Sequence, residues 1–281
     1  MGGARVRASR VLHAARTRMP EGLEVARRRV TSRRMTIMAP IVLFIVLIAA
    51  WWATTAFTGI ESWRLPSPLD TWNRGVAMTM NTSMWRMAAL TALEALAGSL
   101  VGACVALPLA YLVYRSPLVS AAVEPFLGAT QALPAIALAP LLVLWIGYGL
   151  WSITALCALI VFFPILVSTV VGLRHLDIEV LEAAELDGAS GWRMAFGVEL
   201  PLAAPSILGG LRNGFTLSVT GAVVGEMVMG GKGLGQVLVQ ARSNVDTAGM
   251  FVAIILLCLM ATTVYIFVYR LECTSKYTIS E

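Results

Sequence analysis

After residue 36 the chain alternates long, almost uniformly apolar stretches with short polar ones, and the stretches show neither the two-residue period of strands nor the one-sided stripe of a soluble helix. A helix needs roughly 20 mostly apolar residues to cross a bilayer core, because its backbone polar groups must be satisfied within the segment. Residues 37 to 57, 88 to 114, 121 to 146, 151 to 173, 204 to 229 and 249 to 271 meet that requirement. The pattern therefore predicts an all-α membrane protein of six transmembrane helices. It divides into an N-terminal arm at 1–36, one spanning domain at 37–272 and a tail at 273–281. Charges sit near the ends of the spans, apart from Glu94 and Arg212.

Composition agrees. Hydrophobic residues make up 58% and charged residues 13%, against about a quarter charged in soluble domains, and mean hydropathy is +0.79. Little chain is left for a soluble catalytic module. Orientation follows from the arm, where ten arginines between Arg5 and Arg34 face only Glu21 and Glu24. The positive-inside rule places that end in the cytoplasm. Six spans return the C-terminus to the same side, make the loop at 174–203 cytoplasmic, and leave 58–87 and 230–248 outside. The expected location is the cell membrane, multi-pass. Ser32-Arg33-Arg34-Met35-Thr36-Ile37 resembles a twin-arginine signal, but the apolar run behind it is too long for a signal peptide and lacks a small-residue cleavage site, so it reads as an uncleaved first span. The arm either lies on anionic lipid or is a solvated tail.

The cytoplasmic loop is where the polar pattern changes character. Val180, Ala183 and Ala184 recur at helical spacing among Glu179, Glu182, Glu185 and Asp187, which predicts a short amphipathic helix stopped by Gly188. Trp192, Met194 and Phe196 follow on a second turn, and Pro201 and Pro205 mark the start of the next span. A solvated acidic loop is the bland alternative. Small alanines, carboxylates, a glycine stop and aromatics together favour a docking element.

Glu182-Ala183-Ala184, then Gly188, then Leu200-Pro201, resembles the signature loop of permease subunits in ATP-binding-cassette importers. LPSP at 65–68, LAPLLVLWIGYG at 138–149, FFPILVSTVVGLRHLD at 162–177 and GGKGLGQVLVQA at 230–241 are similar to the nitrate, sulfonate and taurine branch of type I permeases. Asp187 departs from the apolar residue usual before the glycine. The resemblance implies a non-enzymatic transport subunit without cofactor, working with two ATPase subunits that hold ATP and Mg, a second permease copy and an external solute-binding protein. It assigns Glu182, Ala183, Ala184, Asp187, Gly188, Trp192 and Arg193 to the surface that seats in the ATPase. The stretch at 241–257 is closer to members carrying hydroxymethylpyrimidine or riboflavin than to those for sulfonate, taurine or nitrate, so the expected cargo is a heterocyclic vitamin precursor.

Other motifs narrow the chemistry. Gly230-Gly231-Lys232-Gly233-Leu234-Gly235 has Glu226 where a phosphate loop needs its first glycine, and no Ser or Thr after the lysine, so it reads as an outer turn. Gly98 and Gly102, Gly210 and Gly214, and Gly221 and Gly225 are each four apart, which fits either close helix packing or a pathway wall. Gln131, Asn213, Thr216, Thr220 and Glu226 are the candidate pathway residues. Glu94, Arg212 and Glu226 are expected to snorkel toward water. Pro134 and Pro140 would bend the third span. Trp51, Trp52, Trp63 and Trp72 suit an aromatic belt at the outer interface. Cys104, Cys157, Cys258 and Cys273 form no CxxC pair, and with His13 and His175 outside the spans no metal site is expected. A secondary transporter or a membrane-embedded enzyme are the rival classes; few membrane-depth titratable groups argue against the first, and the lack of HExxH or GxSxG against the second.

Overall fold

The computed structural model describes residues 33–131 and 135–278, and all its regular elements there are helices. They are α1 (Arg33–Phe57), α2 (Pro68–Thr79), α3 (Thr82–Arg115), α4 (Pro117–Gln131), α5 (Ala135–Ile146), α6 (Leu150–Arg174), α7 (Ile178–Leu186), α8 (Trp192–Met194), α9 (Leu200–Met229), α10 (Leu234–Ser243) and α11 (Thr247–Thr278). A π-helical stretch, Ala195–Glu199, joins α8 to α9 without a break. Residues 1–32 of the arm at 1–36, and Pro134, lie outside the described residues.

Five helices among the described residues are long and apolar enough to cross a membrane: Met38–Phe57, Thr82–Arg115, Leu150–Arg174, Trp192–Met229 and Thr247–Arg270. The predicted span at 121–146 is not among them. The described residues carry it as two helices, α4 and α5, with residues 132–134 between them outside the description, and α5 by itself has 12 residues, about 18 Å, short of the ~30 Å hydrocarbon core. Pro125 lies inside α4 and Pro140 inside α5, each removing a backbone donor from its ladder. The chain through Trp51 is one compact unit and the chain from Trp52 another. None of Met38–Phe57 is buried.

Helix α6 is the centre of the second unit, clasped between α3 and α9. Small residues set the spacing. A Cβ on Gly98 would stand 2.2 Å from Cys157 Cβ, and one on Gly102 2.7 Å from the Ala158 carbonyl. On the other side, Gly210 meets Ser168, Gly214 meets Val161 and Ile165, Gly221 meets Ile160, and Gly225 meets Ile153. All three glycine pairs therefore pack against α6, the contact that stands in for a hydrophobic driving force inside lipid. The register also shows that α3 and α6 run parallel while α9 runs antiparallel to both. Ile153, Leu156 and Cys157 fill the core at one level and Val161, Ile165 and Leu166 at the next.

The pattern of apolar runs does not reveal α2. Its start is a capping box, with Ser67 accepting from the Asp70 N–H, the Asp70 carboxylate reaching back to Ser67, and Pro68 at the first position. Arg74 on α2 donates through Nε to Asp246 at 2.8 Å and ties it to the turn before α11.

Candidate functional site

Helix α7 stands at the end of the bundle where α6 stops. Asp177 begins it, its carboxylate accepting from the Glu179 N–H at 3.0 Å. Its end is a Schellman motif: the Gly188 N–H donates to the Glu185 carbonyl and the Ala189 N–H to the Ala184 carbonyl, each at 2.9 Å. Gly188 takes φ +85°, a left-handed conformation that a Cβ would disfavour. No residue of α7 is buried. Glu182, Ala183, Glu185 and Asp187 are exposed and Ala184 is half-buried. Three apolar side chains also face solvent, Ile178, Val180 and, at 90% exposure, Leu186. A nine-residue helix with uncovered aliphatic side chains among carboxylates is built to be covered.

The helix leads into an aromatic and then a charged cluster. Trp192 and Phe196 stack with centroids 5.5 Å apart, and both are exposed, as is Arg193. The π-helical stretch then carries Glu199 inward until it is 1% exposed. There it accepts from the Tyr111 hydroxyl at 2.9 Å and the Tyr114 hydroxyl at 3.4 Å, with the Arg115 guanidinium 3.6 Å away. Sequence reading missed Glu199. Its partners lie 84 to 88 positions away on α3, and the only local hint was a carboxylate next to the start of an apolar run.

At the opposite end of the bundle Glu226 is wholly buried. Its Oε1 accepts from the Thr91 hydroxyl at 2.6 Å and its Oε2 from the Gly235 N–H, while Thr91 in turn accepts from the Leu234 N–H at 2.8 Å. Gly231, Gly233 and Gly235 fold around this side chain, and a Cβ on Gly233 would overlap the Glu226 carboxylate and the Thr91 hydroxyl. The glycine-rich turn is thus a wrapping for a carboxylate. Glu94, 4% exposed, lies beside Glu226.

These contacts correct the expectation that the membrane-depth charges snorkel. Glu226 is buried with the Thr91 hydroxyl and the Gly235 N–H in place of water, while Glu94 is buried beside it with its Oε2 unpartnered among the described residues. Arg212 donates to Glu272 on α11 at 2.7 Å and lies 5.2 Å and 5.6 Å from the Tyr265 and Tyr269 ring centroids. Of the pathway candidates, Asn213 and Thr220 are exposed on the face of α9 away from its glycines, and Thr216 is half-buried, donating to the Arg212 carbonyl at 2.8 Å. Gln131 closes α4, and its side chain lies outside the described residues.

A bundle of membrane-length helices packed by glycines, with one uncovered amphipathic helix at its end, is the architecture of a transport permease. The chain belongs to the family of binding-protein-dependent transport system inner membrane components, whose pattern matches residues 96–273. It is 39% identical to the riboflavin transport system permease protein RibX of Chloroflexus aurantiacus over 233 residues, 83% of this chain and 87% of the relative. It is 31% identical to the formylaminopyrimidine transport permease protein ThiX of Halalkalibacterium halodurans over 235 residues, 84% and 93% of the two chains. A solved structure of the MetNI methionine ABC transporter in an inward-facing conformation aligns with TM-score 0.63 at 19% identity, covering 70% of this chain and 98% of the other. This is an ABC importer permease, a multi-pass inner-membrane subunit and not an enzyme, with no cofactor of its own. Permeases of this kind work with ATPase and binding-protein partners.

Proposed function

We propose that this chain is the spanning subunit of an ATP-driven importer in which two permease copies, two cytoplasmic ATPases holding ATP and Mg, and one external binding protein act together. The observation that carries the reading is α7, with no buried residue, closed by Gly188 and continued through α8 and the π-helical stretch into α9, which packs along α6 at the core. ATP favours one of two states of the ATPase pair, and a rigid helix seated in that pair passes the bias to the bundle. Glu182, Ala183, Ala184, Asp187 and Gly188 form the seat, with Trp192 and Arg193 beside it. The arm at 1–36 and the tail at 273–281 lie in the cytoplasm, flanking the permease domain at 37–272, and α9 with Asn213, Thr216, Thr220 and Glu226 borders the pathway, to which Gln131 of α4 also belongs.

The cargo in this reading is a heterocyclic vitamin precursor of the riboflavin or hydroxymethylpyrimidine type, supported by the names of the relatives above. The test is ATP-dependent accumulation of labelled riboflavin, hydroxymethylpyrimidine and taurine by cells expressing the complete system. Uptake of a heterocycle is expected, and uptake of taurine alone would overturn the cargo assignment. In the same assay Gly188→Trp should abolish accumulation while ATP hydrolysis continues, since an indole there breaks both the left-handed turn and the seat. Normal uptake by that variant would remove α7 from the mechanism.

The proposed orientation has its own check. A cysteine in place of Lys232 should react with a membrane-impermeant maleimide on intact cells, and one in place of Glu185 only after the membrane is opened. The reverse pattern would invert the topology.

A further inference from the structure

We infer that the cleft between α3, α6 and the start of α9 is a binding site for one anionic phospholipid, with an acyl chain in the cleft and the phosphate at the arginines of its rim. The cleft has a volume of about 600 Å³ and almost wholly apolar walls, among them Leu107, Pro108, Leu112, Phe196 and Ile207. Pro108 and Leu112 are also exposed on the outer surface of α3, so the cleft opens sideways where lipid stands. Water gains nothing from such walls, and a hydrocarbon chain loses nothing by entering them.

Two polar features fix the rest of the ligand. Thr169 in the wall is 1% exposed, and its Oγ1 has no hydrogen-bond partner, so a donor waits at that depth. The contacts of Gly98 with Thr154 and Cys157 and of Gly102 with Ala158 and Val161 place Thr169 level with the turn of α3 from Ala110 to Val113, ~3–8 Å below Arg115. An ester carbonyl lies at that distance beneath a phosphate in a glycerophospholipid. Arg115, with its side chain 51% exposed, and the exposed Arg193, next in sequence to the Trp192 of the cleft wall, bring guanidinium groups to this end of the cleft, where Glu199 is the carboxylate paired with Arg115. Guanidinium groups pair phosphate oxygens well. Hydrocarbon, acceptor and phosphate thus fall in the order in which a phospholipid presents them, and the guanidinium groups at this end favour an anionic headgroup over a zwitterionic one.

A photoactivatable diazirine amino acid at Leu112, in the full-length protein reconstituted in phosphatidylethanolamine vesicles with a minor share of phosphatidylglycerol, tests this. Mass spectrometry of the adducts is expected to show phosphatidylglycerol enriched roughly fivefold over its bulk share, as one basic group at a membrane surface gives. The same probe at the outward-facing Phe267 should report the bulk composition. Ile207→Trp, which fills the cleft, should reduce the Leu112 enrichment to bulk, and Arg193→Gln, which leaves the cleft intact, should do the same if the headgroup is read there. Bulk proportions at Leu112, a polypeptide adduct in place of lipid, or full enrichment surviving both substitutions would each overturn the assignment.

Discussion

Gly98→Val is expected to push α3 away from α6 and lower the melting temperature of the purified chain by about 6 to 12 °C, the equivalent of about 3 kcal/mol for a chain of this size. The first added carbon would lie 2.2 Å from Cys157 Cβ and 2.9 Å from the Thr154 carbonyl, so no rotamer change relieves it and two backbones must part. Gly209→Ala is the control. That glycine has nothing within 4 Å of its would-be Cβ and sits inside α9, so alanine should be neutral or stabilise by up to about 1 kcal/mol. Equal melting temperatures for the two variants would show that the glycine contacts do not hold the bundle.

Glu226→Leu should release the glycine-rich turn and α10 while leaving the rest of α9 folded. The substitution leaves the buried Gly235 N–H without its acceptor, about 1–3 kcal/mol, and returns the Thr91 hydroxyl to the Met87 carbonyl 3.2 Å away. Hydrogen–deuterium exchange at residues 233–241 is expected to accelerate by at least about tenfold, with little change along α6. Glu226→Gln keeps the shape and one acceptor oxygen, and should fall between wild type and leucine. Unchanged protection in the leucine variant would mean that burial of Leu234 and Val237 alone holds α10 in place.

How much of this was legible beforehand depends on how far each residue's partner lies along the chain. Local patterns were readable: five spans emerge from apolar run length, and Gly188 from its place after a short amphipathic run. The stretch at 121–146 reads as one span because apolarity continues across it, whereas among the described residues it is carried by two shorter helices, α4 and α5. Glycines four apart announced close packing, but only the three-dimensional register assigned their partners to α6. The pairing of Thr91 with Glu226 spans 135 positions, and that of Arg212 with Glu272 spans 60 and crosses the residue where the last span was taken to end. A single sequence carries no local trace of either, so charges with distant partners read as charges seeking water. Glu199 was missed for the same reason, since both of its tyrosines belong to α3.

The unbroken path from Trp192 to Met229 is 38 residues, about 57 Å of helix. One pole touches the aromatic pair beside α7, and the other ends at the Glu226 knot. In a rod of that reach, a tilt of about five degrees about the glycine contacts with α6 would swing either tip by roughly 2 Å.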